Sequence, residues 1–325
     1  MKNIFKIISI LLFILYACHN DNKKVIVVSN LNTYSISAIV VDKSNTKWIG
    51  TSNGLYKSVE GGYSLEDISI PGEVNCVYFE GASNTLWVGT NKGMAKVAIN
   101  ASGISSTVIN STNLSNDTVL TAYVDSSSRR WFGTADDFTL NINTTWKKAK
   151  FCYNLLNNLV SLEFEGTSIN SIASWNGDYY FATNTFGLYR ARNYNDTVDA
   201  FTGATQWSTP YNGTAAVDTM FTVFVDSKGR IWMGGTNGVQ YHTGHDSKQN
   251  ITPFLSDLPN PRVHAIAEAT DGKIWVGTEN GIAIYDGTNW TTMTAGLANL
   301  FITAIAFDSN GSAWVGTQKG LYTVK

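Results

Sequence analysis

The sequence predicts an all-β fold: a seven-bladed β-propeller of four-stranded antiparallel blades. The first observation behind this is a stretch that recurs. Ile274 to Gly281 reads IWVGTENG; Trp48 opens WIGTSNG, Trp87 opens WVGTNKG and Trp314 opens WVGTQKG, with looser copies from Trp131, Tyr180 and Trp232. The seven copies stand 39, 44, 49, 52, 43 and 39 residues apart, and self-similarity at such a period marks a repeat architecture. The second observation is local. Around each copy lie short β-branched runs with tight-turn signals, and no segment after the N-terminal apolar run sustains a helical period. The third is physical. A small sheet with two apolar faces cannot stand alone, and radial repetition around a channel buries both faces and protects the edges.

The sixth copy shows the elements in order. Val263 to Ala269 is an apolar run, Asp271-Gly272 a turn, and Lys273 to Thr278 a second run. Asn280-Gly281 then separates that run from Ile282 to Tyr285, and Asn-Gly between apolar runs is a strong hairpin signal because both residues accept positive φ. A last run, Asn289 to Thr294, carries Trp290. Within the unit, the Trp supplies a large buried ring. The Gly two residues later shares its face, where a missing side chain admits a neighbouring backbone or ring. The Asp before the first turn (Asp42, Asp125, Asp226, Asp308) is placed to hydrogen-bond the turn backbone. Because that Asp recurs from repeat to repeat, it reads as structure rather than as catalysis or a metal site.

The pattern D-x-x-G-x-x-W-[IV]-G-T-x-x-G-[LI] resembles the two-component regulator propeller repeat of periplasmic sensor regions in Bacteroidetes-type hybrid two-component systems. Asp308 to Leu321 matches it closely; Asp42 to Leu55 matches with Thr46 in place of the turn glycine; Asp271 to Ile282 matches with a shorter turn. The resemblance spans the chain from about residue 25 onward. It implies a ligand-sensing propeller, often for polysaccharide breakdown products. In that family an immunoglobulin-like domain, a membrane helix and a kinase usually follow. The sequence given ends at Lys325, directly after the seventh copy, so the expectation here is a stand-alone propeller without the kinase.

Residues 1–17 read as a lipoprotein signal peptide, with Lys2 and Lys6 before an apolar run, Ile7 to Leu15, too short to span a bilayer. Leu15-Tyr16-Ala17-Cys18 resembles a lipobox, which makes Cys18 the lipidated residue, with 18–24 as a tether and 25–325 as the propeller. Val25 to Ser29 stands before the first full repeat, whereas the last repeat shows only three strands. The N-terminal strand is therefore expected to complete the last blade and close the ring.

The middle repeats depart from the pattern. The third has Asp136-Asp137 at its glycine turn, and adjacent carboxylates of this kind help hold calcium in some loops. The fourth has Trp175 at the usual Asp position and Tyr180 for the Trp, followed by an insertion from about Asn193 to Ala204. The fifth carries His242, His245 and Asp246 without an evident third ligand type at metal-site spacing. No metal and no cofactor are expected. Cys76 falls on an innermost strand of the second repeat and Cys152 on an outer strand of the third, an unfavourable pair for a disulfide.

With 23 basic and 25 acidic residues, nothing draws the chain to nucleic acid or to an anionic membrane surface, leaving the N-terminal lipid as the membrane contact. A monomer is expected in the cell envelope, at the outer membrane. In a propeller, the loop entering each inner strand and the second-to-third-strand turn share the face around the channel mouth. On that face the candidate ligand-binding residues are Tyr34, Asp117, Phe186, Arg262 and Phe301. Rings with Asp and Arg suit a glycan or related small ligand, and equally an envelope protein partner. The leading expectation is a non-catalytic, sensor-like binding propeller. The alternatives are a protein-docking scaffold and a propeller glycosidase or lyase. A glycosidase needs two carboxylates about 5–10 Å apart, Asp117 and Asp218 being candidates, and no nucleophile motif is present.

Overall fold

The structure is a computed structural model, and the residues it describes are 23–28, 31–58, 65–101, 103–109, 112–147, 151–154, 159–162, 167–185, 187–195, 200–206, 219–243, 251–254 and 256–325. The signal segment with Cys18, the candidate Phe186, and Asp218, His245 and Asp246 lie outside them. Seven four-stranded antiparallel sheets are arranged in chain order. In the sixth, Val263–Glu268, Ile274–Thr278, Gly281–Tyr285 and Trp290–Met293 run from the channel outward. No helix among the described residues is long and apolar enough to cross a membrane.

Ring closure is as the sequence predicts. Val25–Val28 pairs antiparallel with Gly320–Val324, from Val25 opposite Val324 to Val28 opposite Leu321. Lys24 and Lys325 extend the ladder with reciprocal backbone bonds of 3.1 Å. The last blade thus takes its outer strand from the start of the fold, and Gly320–Val324 is paired on both sides.

The repeated glycine explains how one blade meets the next. A Cβ on Gly50 would lie 2.5 Å from Val74, on Gly277 2.6 Å from Ile302, and on Gly316 2.5 Å from Ile36. Each of these partners is the first residue of the following blade's inner strand, and Gly316 to Ile36 is that contact across the seam. The tryptophans fill the same interfaces: Trp48 packs with Val74, Leu86 and Val88 of the second blade, and Trp314 with Ile36 and Ile49 of the first. A ring of this size removes roughly 200 Å² from water, about 5 kcal/mol before ordering entropy is counted.

The repeated Asp does more than hold its turn. In the first blade Asp42 Oδ1 accepts the amides of Ser44 (2.8 Å) and Thr46 (2.9 Å), and Oδ2 accepts the Trp48 indole N–H at 2.9 Å. Asp125–Trp131 (3.0 Å), Asp226–Trp232 (2.7 Å) and Asp308–Trp314 (3.1 Å) repeat the clamp. Glu80 supplies the carboxylate to Trp87 in the second blade, at 2.8 Å.

The irregular repeats need corrections. In the sixth blade the clamp position is Ala269, and Asp271 sits within the turn, paired with Lys273 at 2.8 Å. In the fourth, a tight turn at Asn176-Gly177 leaves Trp175 37% exposed at the strand end. There its ring lies 2.5 Å from where a Cβ on Gly229 would stand, so it covers a fifth-blade turn instead of capping its own. The expected insertion is a long hairpin within the blade, Leu188–Asn195 paired with Ala200–Gln206. Cys152 is not on the outer strand of the third blade, which is Thr145–Lys147, but on a separate hairpin, Phe151–Asn154 with Leu159–Leu162. Cys76 is a free thiol, pushed up to about 12 by burial.

Candidate functional site

At the channel mouth the seven blades share a device. Pairing of the first two strands slips by one residue after the first inner-strand position, between Ile36 and Ala38, for example, and between Val263 and Ala265. The same slip occurs in the other five blades. A bulge of this kind re-aims the extra side chain. The residue freed is Ser37, Asn75, Leu120, Asn170, Phe221, His264 or Thr303 in blade order.

Four of these side chains tie neighbouring blades together. Asn75 Nδ2 donates to the Val119 carbonyl (3.0 Å) and Asn170 Nδ2 to that of Met220 (2.7 Å). Ser37 and Thr303 hydroxyls donate likewise to the carbonyls of Val74 and Ile36. Leu120, Phe221 and His264 have no such donor reach, and the last two stand side by side in the fifth and sixth blades.

There the structure builds a row of rings. The His264 imidazole stacks on Phe221 (centroids 4.5 Å apart, planes at 21°) and lies against Phe301 on its other side (4.8 Å, 31°). Arg262, in the loop entering the same strand, holds its guanidinium 5.2 Å over the Phe221 ring and donates from Nε to Glu279 Oε1 at 2.6 Å. Glu279 comes from the second-to-third-strand turn, whose backbone is pinned to that loop by the Glu279 amide bonding the Arg262 carbonyl at 3.2 Å.

The same carboxylate oxygen lies 3.0 Å from His264 Nε2. A carboxylate only accepts, so Nε2 carries the proton and donates, which leaves Nδ1 as the lone-pair nitrogen of a neutral ring. Burial between the rings lowers the His264 pKa, against the partial opposition of the Glu279 bond and charge. Burial alone would raise the Glu279 carboxyl, but the bonds from Arg262 and His264 outweigh it and hold the group below the ordinary carboxylate value. The result is an aromatic shelf with one acceptor nitrogen, one carboxylate and one half-exposed guanidinium at its edge.

Of the predicted residues, Arg262 and Phe301 meet here. Tyr34 is one blade further round the ring, half-buried on Tyr56 (6.1 Å between centroids), with its carbonyl accepting the Gly320 amide at 2.9 Å. Asp117 is exposed at the entry to the third blade, away from the rings, and its carbonyl accepts the Gly93 amide at 2.6 Å. Sequence reasoning missed Phe221 and His264 because it searched loops, whereas these side chains sit on the second residue of inner strands. Superposing the seven inner strands would have singled them out as the positions where Ser, Asn and Thr give way to rings. Among the described residues no group of three or more His, Cys, Asp or Glu side chains is placed to hold a metal ion.

Residues 257–280 and 296–319 match the family model described as two component regulator propeller. The match is confined to these two segments, in the sixth and seventh blades. They carry Arg262, His264, Glu279 and Phe301, so four members of the ring shelf lie within the matched residues. The chain is similar in fold to the extracellular domain of a putative hybrid two component system from B. thetaiotaomicron, with TM-score 0.66 and 19% identity over 90% of this chain and 38% of that one. The chain thus spans less than half the length of that protein chain. It is also similar to a streptogramin B lyase (TM-score 0.72, 14% identity, 93% of this chain and 97% of that one). A catalytically inactive histidine-to-alanine variant of virginiamycin B lyase from Staphylococcus aureus, solved with quinupristin, gives TM-score 0.70 at 14% identity over 93% of this chain and 98% of that one. At these identities the likeness is one of fold. No functionally curated protein sequence matches the chain.

Proposed function

We propose that this chain is a sensor-like, ligand-binding propeller of the cell envelope, anchored by a lipid on Cys18, that recognises a glycan or related small ligand at the channel face without altering it. The ring shelf of Phe221, His264 and Phe301, edged by Arg262 and Glu279, carries this reading. Ring faces suit the apolar faces of a sugar, and the guanidinium, carboxylate and Nδ1 supply donors and acceptors for hydroxyls. Regulator-propeller repeats in the same residues support a sensing role, and the extracellular domain that shares the fold supports an envelope address. Tyr34 and Asp117 belong to the same face and would extend the contact. An envelope protein that docks on the shelf through its own surface is the competing partner.

A glycan-array and thermal-shift screen, run beside Arg262→Ala, Phe301→Ala and Tyr34→Ala proteins, tests the reading. Ligand at 100 times its dissociation constant should add about 2.7 kcal/mol of stability. A glycan hit lost in the Phe301 variant supports the shelf; no hit on a folded protein favours the docking scaffold. Retention of radiolabelled palmitate by the wild type and its loss in Cys18→Ser tests the anchor.

A second reading has one specific observation in its favour. A neutral histidine held by a carboxylate, Nε2 of His264 on Glu279 at 3.0 Å, is the arrangement of a general base, and lyases share the fold. Incubation with quinupristin separates the two: conversion of it that disappears in His264→Ala would make the chain a lyase, and unchanged quinupristin leaves the binding role.

A further inference from the structure

The opposite end of the ring carries a second candidate site, and the repeats themselves reveal it. Four of the five clamp carboxylates there face a cation. Glu80 pairs with Arg130 of the next blade through Nη2 (2.7 Å) and Nε (2.9 Å). Asp308 has Lys47 of the next blade at 3.4 Å. Asp125 has Arg129 of its own blade at 2.7 Å and also accepts the Tyr179 hydroxyl at 2.7 Å. Asp226 pairs with Arg230. The cation comes either from four residues after the Asp or from the residue preceding the next blade's Trp.

In the first blade both sources are lost. The position four after Asp42 is Thr46, and the residue before Trp87 in the next blade is Leu86, which is fully buried in apolar packing. Asp42 spends Oδ1 on two turn amides and Oδ2 on the Trp48 indole, and it forms no ion pair among the described residues. Beside it the structure opens a cavity of about 330 Å³ lined by Asp42, Thr46, Trp48, Lys57, Ile99 and Ile104. Lys57 also lines this space.

We propose that this cavity binds a small organic monocation, an alkyl guanidinium or alkyl ammonium, whose head group occupies at Asp42 the place that arginine and lysine side chains fill in the other blades. A carboxylate has about four lone-pair sites, so Oδ2 keeps capacity after accepting the indole N–H. Charge-assisted bonds to such a group are among the stronger ones. The indole of Trp48 with Ile99 and Ile104 supplies apolar wall for a short alkyl chain. This site is remote from the ring shelf and does not rest on the proposed glycan role.

The test is ligand-observed NMR on the purified protein with butylguanidinium and butylammonium as probes and neutral butylurea as the isosteric control. Saturable binding of at least one cation is expected, with butylurea weaker by about tenfold or more. Thr46→Arg rebuilds the in-blade cation of the third and fifth blades; it should abolish binding while keeping or raising Tm, which makes a loss of signal distinct from misfolding. Asp42→Asn should weaken binding by a similar factor. Equal affinity for butylurea, absence of saturable binding of either cation, or undiminished binding to a folded Thr46→Arg protein would overturn the proposal.

Discussion

The two ends of this propeller are built to different rules. At the end of the first-to-second-strand turns, a carboxylate clamps an indole in five of the seven blades, and in four of those a cation neutralises it. At the channel mouth, the bulged second residue of the inner strand changes character around the ring. Ser37, Asn75, Asn170 and Thr303 fasten one blade to the next, whereas Phe221 and His264 release that bond and build a surface. The clamp end repeats because each blade needs the same turn and the same buried Trp. The mouth varies because three blades can give up an interblade tie while the glycine and tryptophan contacts hold the ring. Repetition therefore marks what holds the fold, and its interruption marks where a ligand can be met.

The sharpest break of that contrast is at Asp125. The group is buried with Arg129, Trp131 and Tyr179 all donating to it. Burial works to raise its pKa, and those three bonds together hold it below the ordinary value. Asp125→Ala strands a nearly buried guanidinium and should cost about 3–5 kcal/mol, read as a fall in denaturant midpoint. A cost near that of an exposed substitution would mean that the clamp is ornamental. Next in size is Gly316→Ala, whose new Cβ meets Ile36 across the seam at 2.5 Å. Overpacking there should cost about 1–3 kcal/mol, and the loss should fall on the whole ring because this contact closes it. A variant as stable as wild type would show that the first and last blades are loosely joined.

At the mouth the expected effects move from stability to binding. Arg262 is 44% exposed on its side chain, so Arg262→Ala should change stability by about 1 kcal/mol or less. If the shelf binds the proposed ligand, the same variant should weaken it by about tenfold or more, because the guanidinium is the polar anchor at the edge of the rings. Thermal unfolding and ligand titration on one preparation separate these outcomes. A large stability loss with unchanged binding would return Arg262 to the scaffold.

Most of the fold was legible because its determinants are local and repeated: Trp, Gly two residues on, a glycine turn and a preceding Asp. The closing strand was legible as well, since Val25 to Val28 supply the strand that the last repeat lacks. What escaped was of two kinds. Ala269 and Trp175 broke the Asp pattern by turn length, which shifts a residue off the clamp without changing the look of the sequence. Phe221 and His264 escaped because a one-residue bulge aims them at the mouth, and an alternating-strand reading cannot see a bulge. Arg262 and Phe301 were found only because loop topology placed them on the correct face.

The smallest expected effect is a pH dependence, and it bears on the mouth alone. His264 in the folded chain holds its proton less readily than an ordinary imidazole, chiefly because it is buried between rings. The unfolded chain, with histidine near 6.5, therefore takes up the proton first as pH falls. Stability from this group is fully present above about 6.5 and is lost as pH drops from there toward the folded value. Glu279 is also lowered, so its contribution fades only in more acid solution, below an unfolded carboxyl near 4.3, and the two windows stay apart. Tm measured between about pH 7.5 and pH 5.5 should fall in the wild type and fall less in His264→Asn, which keeps a polar side chain but cannot titrate there. Equal slopes in the two proteins would mean that the ring row does not shield His264, and with that the neutral acceptor at Nδ1 would be lost from the description of the shelf.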